Sequence, residues 1–540
     1  PLPRRGPPPF AGPPAGGPPP FFPCSPPLPL QPATNRPSAY ARAMTAIALD
    51  GRSLTLQVLA NDARKARAFT LAPDAHVRLG ESARLVAAAA QGEAAVYGLN
   101  TGFGAFANRR IERSAVAQLQ VNLVRSHACG VGEPLPDAIV RRMLILKANS
   151  LATGYSGVRP EVIDAILALV DHNVLPVVPS LGSVGASGDL APLAHLALAL
   201  IGEGEAHHRG RTLAGSEVLR AAGIEPLVLE AKEGLAILNG TQLSCALAIE
   251  GLFASQNLLA CSIAAGALTV EALAGSHAPF DARIHDARGL AGQIEVAHRF
   301  RTWLTDSEIH RSHADCDRVQ DPYAVRCMPQ VLGAWADTLA HARSVLEREV
   351  NAATDNPLVF GSDILSGGNF HAAPIGYVAD FMAIATADAA SMSERRIDLL
   401  DRRVNPRLTM FMADHPGLES GFMIAHVSAA ALASSLKTLA HPASVDSLPT
   451  SAGQEDHVSM APWAGEKLLT MCDRAASVLA IEFLAAAHAI DVMRPLHTSA
   501  KLEVLHGRIR ERVPFRREDH RLDRDIAAVG ELVRSGALAA

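Results

Sequence analysis

Apolar residues recur at helical spacing through most of this chain, in long runs. Downstream of about residue 114, positions i, i+3, i+4 and i+7 are repeatedly apolar, which predicts helices with at least one buried face. Capping residues, Pro and Gly mark several of their ends. The predicted helices cover 114–128, 137–153, 160–173, 190–201, 240–273, 331–352, 375–398, 421–439 and 465–493.

The segment 240–273 is unusual because Ala, Leu, Ile and Gly occupy nearly every face of the predicted helix. Gln256, Asn257, Thr269 and Glu271 interrupt it too often for an unbroken membrane span of about 20 apolar residues. We therefore expect a buried central helix. Several helices of this length predict a mostly α-helical bundle, and apolar faces left uncovered predict contact with further copies of the chain.

The N-terminal end has a different pattern. Residues 45–71 alternate enough for one or two short strands before a helix at 74–92, which predicts a small mixed region. The first forty residues hold 16 of the 36 prolines and resemble no signal peptide. Met44 opens the first ordinary protein sequence. We therefore expect a disordered, non-native tail at 1–43 and a body at 44–540, divided into parts 44–240 and 241–540.

Composition narrows the classes of function. Hydrophobic residues make up 49% of the chain and aromatic residues 4%, which is typical of closely packed helices. The net charge of −5, without a long basic run, disfavours a nucleic-acid partner. The seven cysteines form no Cys-x-x-Cys pair, which favours reduced thiols in the cytoplasm. The 21 histidines show no His-Glu-x-x-His spacing, so no metal is expected.

The stretch 182–195 contains three glycines within seven residues and begins a predicted helix. Its backbone is so bare that the amide nitrogen of Gly188 could reach the carbonyl carbon of Ala186. Loss of water would close an imidazolone ring, and dehydration of Ser187 would leave an exocyclic methylidene, an electrophile. Taken alone, the stretch favours a Gly-rich turn before a helix. A serine nucleophile elbow fails at Asp189, where that motif requires Gly.

Eight ordered blocks of the chain together resemble the aromatic amino-acid ammonia-lyase family. The resemblance runs from about Ala46 to the C-terminus and is greatest to the members that act on histidine. It implies a long-helix bundle of the fumarase/aspartase-like type, and a homotetramer whose active sites draw loops from several subunits. The blocks are 96–104, 126–127, 182–195, 239–242, 320–327, 351–357, 367–371 and 447–460.

The resemblance implies a self-derived electrophile, 4-methylidene-imidazol-5-one, formed from Ala186, Ser187 and Gly188 without a diffusible cofactor. A cross-link would join residues 186 and 188, and residue 187 would become a dehydroalanine. Asp189 would assist the closure. Asn239 would hydrogen-bond the imidazolone carbonyl and the region of the substrate amine. By pattern alone, Asn239-Gly240 indicates a turn.

Further catalytic roles follow from the same resemblance. Tyr97 would act as the base that removes the β-proton, and Arg326 would bind the substrate carboxylate with two hydrogen bonds. Tyr323 matches a second catalytic tyrosine and would share a helix face with Arg326. Gln320 would support the site, and Phe370 would pack against the electrophile. Without the family, Tyr97 and Phe370 read as core aromatics and Arg326 as part of a salt bridge.

Two residues bear on the choice of substrate. His127 and Glu455 could both hydrogen-bond an imidazole ring, and both would be left unpaired by a phenyl ring. We therefore expect a carbon–nitrogen lyase that converts L-histidine to trans-urocanate and ammonia in the cytoplasm, with neither nucleic acid nor membrane as partner. The alternatives are a tyrosine or phenylalanine ammonia-lyase or aminomutase, a serine hydrolase using Ser187, and a non-catalytic helical scaffold.

Overall fold

The computed structural model describes residues 46–93, 96, 98–102, 109–315 and 317–539. Tyr97 and the predicted tail at 1–43 lie outside these described residues, and what the sequence indicates for them stays a prediction.

The N-terminal part combines short strands with helices of moderate length. Strands β1 (Ile47–Leu49) and β2 (Phe69–Leu71) pair in parallel on either side of helix α1 (Leu56–Arg64), which Thr55 caps by accepting a hydrogen bond from the Val58 amide at 3.2 Å. The elements that follow are α2 (Pro73–Gln91), α3 (Val116–His127), β3 (Val131–Pro134), α4 (Asp137–Ala152), α5 (Pro160–His172), β4 (Leu175–Pro176), β5 (Pro179–Leu181), α6 (Leu190–Leu200), β6 (Glu205–His208), β7 (Arg211–Ala214), α7 (Gly215–Ala222) and α8 (Glu233–Leu238).

The C-terminal part is dominated by long helices. Its elements are α9 (Gln242–Ala272), α10 (Ala282–Arg288), α11 (Ala291–Trp303), α12 (Glu308–Arg311), α13 (Tyr323–Arg326), α14 (Met328–Glu349), β8 (Leu358–Phe360), β9 (Asp363–Leu365), α15 (Ala373–Asp401), α16 (Met423–Leu439), α17 (Ala461–Val492), α18 (Ala500–Arg512) and α19 (Leu522–Arg534).

The strands form small, separate sheets at the periphery of the helices. Strand β3 pairs antiparallel with β5, β6 lies between β4 and β7, and β8 pairs with β9. The pairing of β3 with β5 matters for function, because β5 ends immediately before the Gly-rich stretch at 182–189.

Helices α9, α14, α15 and α17 pack against one another and form the bundle. One large hydrophobic core extends from Leu49 to Leu538, and a small separate cluster contains Val86, Leu99 and Val359. Within the bundle, the Arg396 guanidinium of α15 is fully buried against the Glu482 carboxylate of α17, at 2.5 Å. A buried charge is costly unless it is paired, so this contact disfavours other registers of the two helices. The predicted buried central helix is confirmed as α9.

The long predicted helices are all confirmed, with ends within about four residues of the expected positions. Periodicity succeeded there because a long apolar run can hardly be satisfied by another structure. Sequence analysis did not predict α18, although Leu502, Leu505 and Ile509 stand at helical spacing and are buried. The many charged residues between these positions obscured the pattern.

Three helical segments in the described ranges are long and apolar enough to cross a membrane. In α9 and α17, 83% of the apolar window lies inside the protein, but in the segment Met423–Val445 only 22% does. Exposed apolar side chains also follow one face of α15, where Tyr377, Phe381 and Ile384 are each nearly half exposed. Large apolar patches of this kind indicate surfaces that bind other proteins.

Candidate active site

The Gly-rich stretch between β5 and α6 is pressed against the start of α9. The Asp189 amide donates to the Gly240 carbonyl oxygen at 2.7 Å, and Gly188 forms an isolated parallel bridge with Gly240. Gly188 has φ +74°, and a side chain there would overlap the Gly240 backbone. The loop therefore needs glycine at this position because two backbones approach each other too closely for a Cβ.

The Asp189 side chain connects the Gly-rich loop to the buried first turn of α9. Its side chain is fully buried, and its carboxylate accepts hydrogen bonds from the Ser244 amide at 2.9 Å, the Ser244 hydroxyl at 2.9 Å and the Ser183 hydroxyl at 3.1 Å. Burial raises the pKa of Asp189 to about 6, although the hydrogen bonds from Ser244 and Ser183 act in the opposite direction. These bonds anchor the loop beside the first turn of α9.

Ser187 lies at the wall of a cavity, and both its backbone carbonyl and its hydroxyl form hydrogen bonds. Asn239 Nδ2 donates to the Ser187 carbonyl oxygen at 2.6 Å, and the Ser187 hydroxyl donates to Glu455 Oε1 at 2.6 Å. Asn239 Oδ1 is buried and has no hydrogen-bond partner among the described residues. A buried polar atom without a partner is rare and marks a position where a further group can bind.

Glu455 belongs to the segment 447–460, which closes over the Gly-rich loop. Its second carboxylate oxygen accepts from the Thr450 hydroxyl at 2.6 Å, and its backbone forms a bridge with Thr450. Burial alone would raise the pKa of Glu455, but hydrogen bonds from Ser187, Thr450 and Ser451 outweigh it and lower the pKa below the usual value. Glu455 is therefore an ionised acceptor at neutral pH.

His127 ends helix α3 and faces the same cavity as Glu455. Its Nδ1 lies 2.9 Å from the Leu123 carbonyl oxygen, which can only accept, so Nδ1 carries the proton and Nε2 remains an acceptor. Burial lowers the pKa of His127, although the Leu123 carbonyl and the charge of Glu455 oppose this shift. The ring is thus neutral at neutral pH.

The cavity has a volume of about 1010 Å³. Its wall combines leucines from several helices with many polar side chains, so it can bind a small molecule that has both apolar and hydrogen-bonding parts. Ala186, Ser187, Asn239, Phe370, His127 and Glu455 all line it, so six of the predicted site residues come together. Gly188, which follows Ser187 in the chain, is buried and does not line the cavity.

Three other predicted site residues, Gln320, Tyr323 and Arg326, do not line this cavity. Arg326 Nε donates to the Asp321 carbonyl oxygen at 3.0 Å, and its guanidinium lies 4.4 Å from the centre of the Tyr323 ring. The predicted shared helix face of Tyr323 and Arg326 is therefore confirmed. Tyr323 is 69% exposed, and Gln320 is exposed as well.

The position of Arg326 is set by the far end of α9. Asp321 Oδ2 accepts from the Ser276 amide at 2.7 Å, just beyond the last turn of α9, whereas the Ser187 loop contacts Gly240, before its first turn. The 31 residues of α9 span about 46 Å at 1.5 Å per residue. Within one chain, Arg326 and Ser187 therefore lie at opposite ends of the bundle.

Sequence analysis missed several residues around the site. Asn122, His371 and His457 line the cavity, and the His371 and His457 rings are parallel with centroids 5.8 Å apart. Lys147 lies behind Asn239 and contacts its carbonyl oxygen. The signal for Lys147 was present, because a lysine in the apolar run of α4 has to be buried.

The sequence of the chain matches those of aromatic amino acid lyases. Residues 54–511 match the sequence profile of the aromatic amino acid lyase family. The histidine ammonia-lyase of Rhodospirillum rubrum is 52% identical over 487 residues, which cover 89% of this chain and 95% of that protein.

Solved structures agree with this likeness. Histidine ammonia-lyase from Trypanosoma cruzi superposes with a TM-score of 0.84 at 38% identity, over 91% of this chain and 94% of that one. Tyrosine aminomutase from Streptomyces globisporus superposes with a TM-score of 0.86 at 33% identity, over 91% of this chain and 97% of that one. Because the names of these two proteins differ in substrate and reaction, the fold alone does not select the substrate.

Proposed function

Because this chain belongs to the aromatic amino acid lyase family, we propose that it is a histidine ammonia-lyase, a carbon–nitrogen lyase that eliminates ammonia from L-histidine without oxidation. The product is trans-urocanate, and the reaction is the first step of histidine degradation. The observation that carries the choice of substrate is the pair of hydrogen-bond acceptors, Glu455 and His127, that faces the same cavity as Ser187.

We propose that Ala186, Ser187 and Gly188 form 4-methylidene-imidazol-5-one. The Gly188 nitrogen bonds to the Ala186 carbonyl carbon, whose oxygen leaves as water, and Ser187 then loses its α-hydrogen and hydroxyl as a second water. Such a group supplies an electron-poor methylidene carbon that activates the bound amino acid. The local residues fit it, because Gly188 is already folded tightly on Gly240 and Asn239 donates to the Ser187 carbonyl, which would become the ring carbonyl.

Glu455 changes partners in this scheme. In the unmodified chain, its Oε1 accepts from the Ser187 hydroxyl, and loss of that hydroxyl frees the oxygen toward the cavity. An ionised carboxylate is then available to a ring N–H of imidazole, and His127 Nε2 offers a second acceptor. A phenyl ring has no N–H to satisfy either group, so it should bind poorly.

The elimination needs a base for the β-proton and a cation for the carboxylate. Electrons from the Cβ–H bond form the new double bond, and ammonia leaves Cα with the electrons of the C–N bond. We propose Tyr97 as the base and Arg326 as the carboxylate partner, with Tyr323 and Gln320 beside it. Phe370 would pack on the reacting side of the cavity.

Arg326 can reach Ser187 only from another copy of the chain, because α9 separates them by about 46 Å within one chain. We therefore propose a homotetramer. The exposed apolar faces of α15 and α16 support this assembly, since burying them between subunits would remove them from water. A cytoplasmic location is part of the proposal, supported by the free thiols of all five cysteines assigned in the described part.

Product analysis with histidine, tyrosine and phenylalanine tests the substrate. We expect release of ammonia and urocanate from histidine, with turnover of the other two lower by at least about 100-fold. Turnover of tyrosine without histidine would overturn the choice of substrate, and formation of a β-amino acid would identify an aminomutase instead. Intact mass tests the electrophile, since a chain that has closed the ring lacks two waters.

A further inference from the structure

A buried amine lies behind the Asn239-Gly240 peptide, outside the cavity. Lys147, on α4, is 1% exposed, and its Nζ donates to the Asn239 carbonyl oxygen at 2.8 Å and the Ala236 carbonyl oxygen at 3.1 Å. We propose that Lys147 is a positioning residue for maturation, which holds the Asn239-Gly240 peptide against the Gly-rich loop while the ring closes. The inference rests on the proposed function, because it concerns formation of the same electrophile.

The Asn239-Gly240 peptide connects Lys147 to the reacting segment. On the loop side, the Asn239 side chain donates to the Ser187 carbonyl oxygen at 2.6 Å, and the Gly240 carbonyl oxygen accepts from the Asp189 amide at 2.7 Å. On the opposite side, the Asn239 carbonyl oxygen accepts from Lys147. These two residues thus contact the amine on one side and both chain neighbours of Gly188 on the other.

Ring closure requires that Asn239 and Gly240 stay in place while the loop is compressed. The Gly188 nitrogen must approach the Ala186 carbonyl carbon more closely than non-bonded atoms normally lie, so the loop has to be held in a compressed conformation. The Gly240 backbone occupies the space where a side chain on Gly188 would lie, and it therefore forms the wall against which the loop is compressed. If the wall could retreat, the loop would relax instead of closing.

Lys147 lies behind that wall together with Gln242 and Thr354. Gly240 has φ +143°, and a Cβ built on it would meet Gln242 Oε1 first, then Thr354 Oγ1 at 2.9 Å and Lys147 Nζ at 3.0 Å. The amine therefore packs against Gly240 as well as bonding to Asn239. Burial lowers the pKa of Lys147 to about 7, opposed by the charges of Asp355 and Asp189, and the amine keeps N–H donors in either protonation state.

Lys232 provides a matched control within the same buried cluster. Its side chain is also fully buried, and its Nζ donates to the Ser156 carbonyl oxygen at 2.7 Å and to Asp355 Oδ2 at 2.8 Å. Neither of these partners belongs to the Asn239-Gly240 peptide. Removing the Lys232 amine leaves a buried carboxylate unpaired, so it should harm stability at least as much as removing the Lys147 amine.

The experiment follows maturation of the full chain by intact mass at timed intervals after synthesis, for the wild type, K147M, K147R and K232M. We expect K147M to lose two waters about tenfold more slowly, a factor that corresponds to about 1.4 kcal/mol. K147R should recover most of the rate because it keeps a donor. K232M should mature within about twofold of the wild type despite a lower melting temperature.

The outcomes distinguish a failure of the inference about Lys147 from a failure of the proposed function. If K147M matures as fast as the wild type, or if K232M slows maturation equally, Lys147 has no positioning role. If the wild type itself retains both waters, the proposed function fails, and the comparison of variants is not needed to show it. Should K147M not fold, K147Q replaces it, and maturation of K147Q at the wild-type rate would overturn the inference.

Discussion

At the scale of single residues, the Ser187 hydroxyl is the atom on which the proposed chemistry depends. Ser187→Ala should abolish ammonia release, by at least about 1000-fold, because a methyl group cannot be dehydrated to a methylidene. The fold should remain, since the hydroxyl only donates to Glu455 at the cavity wall. Urocanate absorbance, intact mass and thermal melting measure these effects.

Ser180→Ala, in the strand before the loop, is the control for this variant. It should retain both the two-water mass deficit and most of the activity, because Ser180 does not line the cavity. Urocanate production by the Ser187→Ala variant at the wild-type rate would refute the proposed electrophile.

Glu455 should govern the choice of substrate. Glu455→Gln keeps the size of the side chain but removes its charge, so kcat/KM for histidine should fall by about 10- to 100-fold. Steady-state kinetics with histidine measure the loss, and intact mass establishes that the variant has matured.

Asp446→Asn is the control for this variant. It removes a charge from an exposed position just before the same segment and should change kcat/KM by less than about twofold. Equal losses in both variants would indicate a general electrostatic effect rather than a contact with the substrate.

At the scale of the helices, α15 ends in an aspartate whose carboxyl group is buried. Asp401 is 1% exposed, and both carboxylate oxygens lack a hydrogen-bond partner in the described part, with His426 Nδ1 3.7 Å away. Burial raises the pKa of Asp401 to about 7, and Asp398 adds to the shift while His426 opposes it. The folded protein therefore holds a proton that the unfolded chain releases near pH 4.

This shift predicts a pH dependence of stability. Because the folded pKa is raised, the contribution of Asp401 is greatest below about pH 4 and is lost as the pH rises to about 7. Asp401→Asn cannot ionise. Its free energy of unfolding relative to that of the wild type should therefore rise by about 1–3 kcal/mol when the pH is raised from 5 to 8. Thermal melting at both pH values measures this.

Asp388→Asn is the matched control, because Asp388 is exposed on the same helix. Its stability relative to the wild type should not change between the two pH values. A constant difference between Asp401→Asn and the wild type at pH 5 and pH 8 would contradict the assignment of the shift to Asp401.

At the scale of the whole molecule, the length of α9 predicts that an active site needs more than one chain. Coexpression of Ser187→Ala with Arg326→Ala should restore activity although each variant alone is inactive. In a random mixture, about a quarter of the sites would combine an intact Ser187 loop with an intact Arg326 from a second chain. Activity of the purified mixed oligomer measures this recovery.

Coexpression of Ser187→Ala with Asn239→Ala is the control. Ser187 and Asn239 lie in the same cavity of one chain, so mixing should not create an intact site. Failure of the first pair to recover activity, or a fully active monomer by gel filtration, would contradict the shared site.

Local sequence alone determined the long helices of this protein and showed that ring closure in its bare loop is sterically possible. Helical periodicity depends on neighbours three and four residues apart, so α4, α9 and α17 were predictable without knowledge of the fold. The candidate residues Ser187, Asn239 and Glu455 were found through ordered motifs. Local patterns do not predict their contacts, because residues 187, 239 and 455 are brought together by packing between elements far apart in the chain. The contact of Asn239 with the ring carbonyl was expected only from the family resemblance.

Only the tertiary structure decided which residues share a site and which support it. Lys147 and Asn239 are separated by more than 90 positions, and no local pattern pairs them. The same is true of Arg326, whose motif suggested the cavity but which lies at the far end of α9 from Ser187, the observation on which the proposal of a shared site rests. The physical reason is that a hydrogen bond or a helix span acts through space, whereas periodicity records only which face of each element is buried.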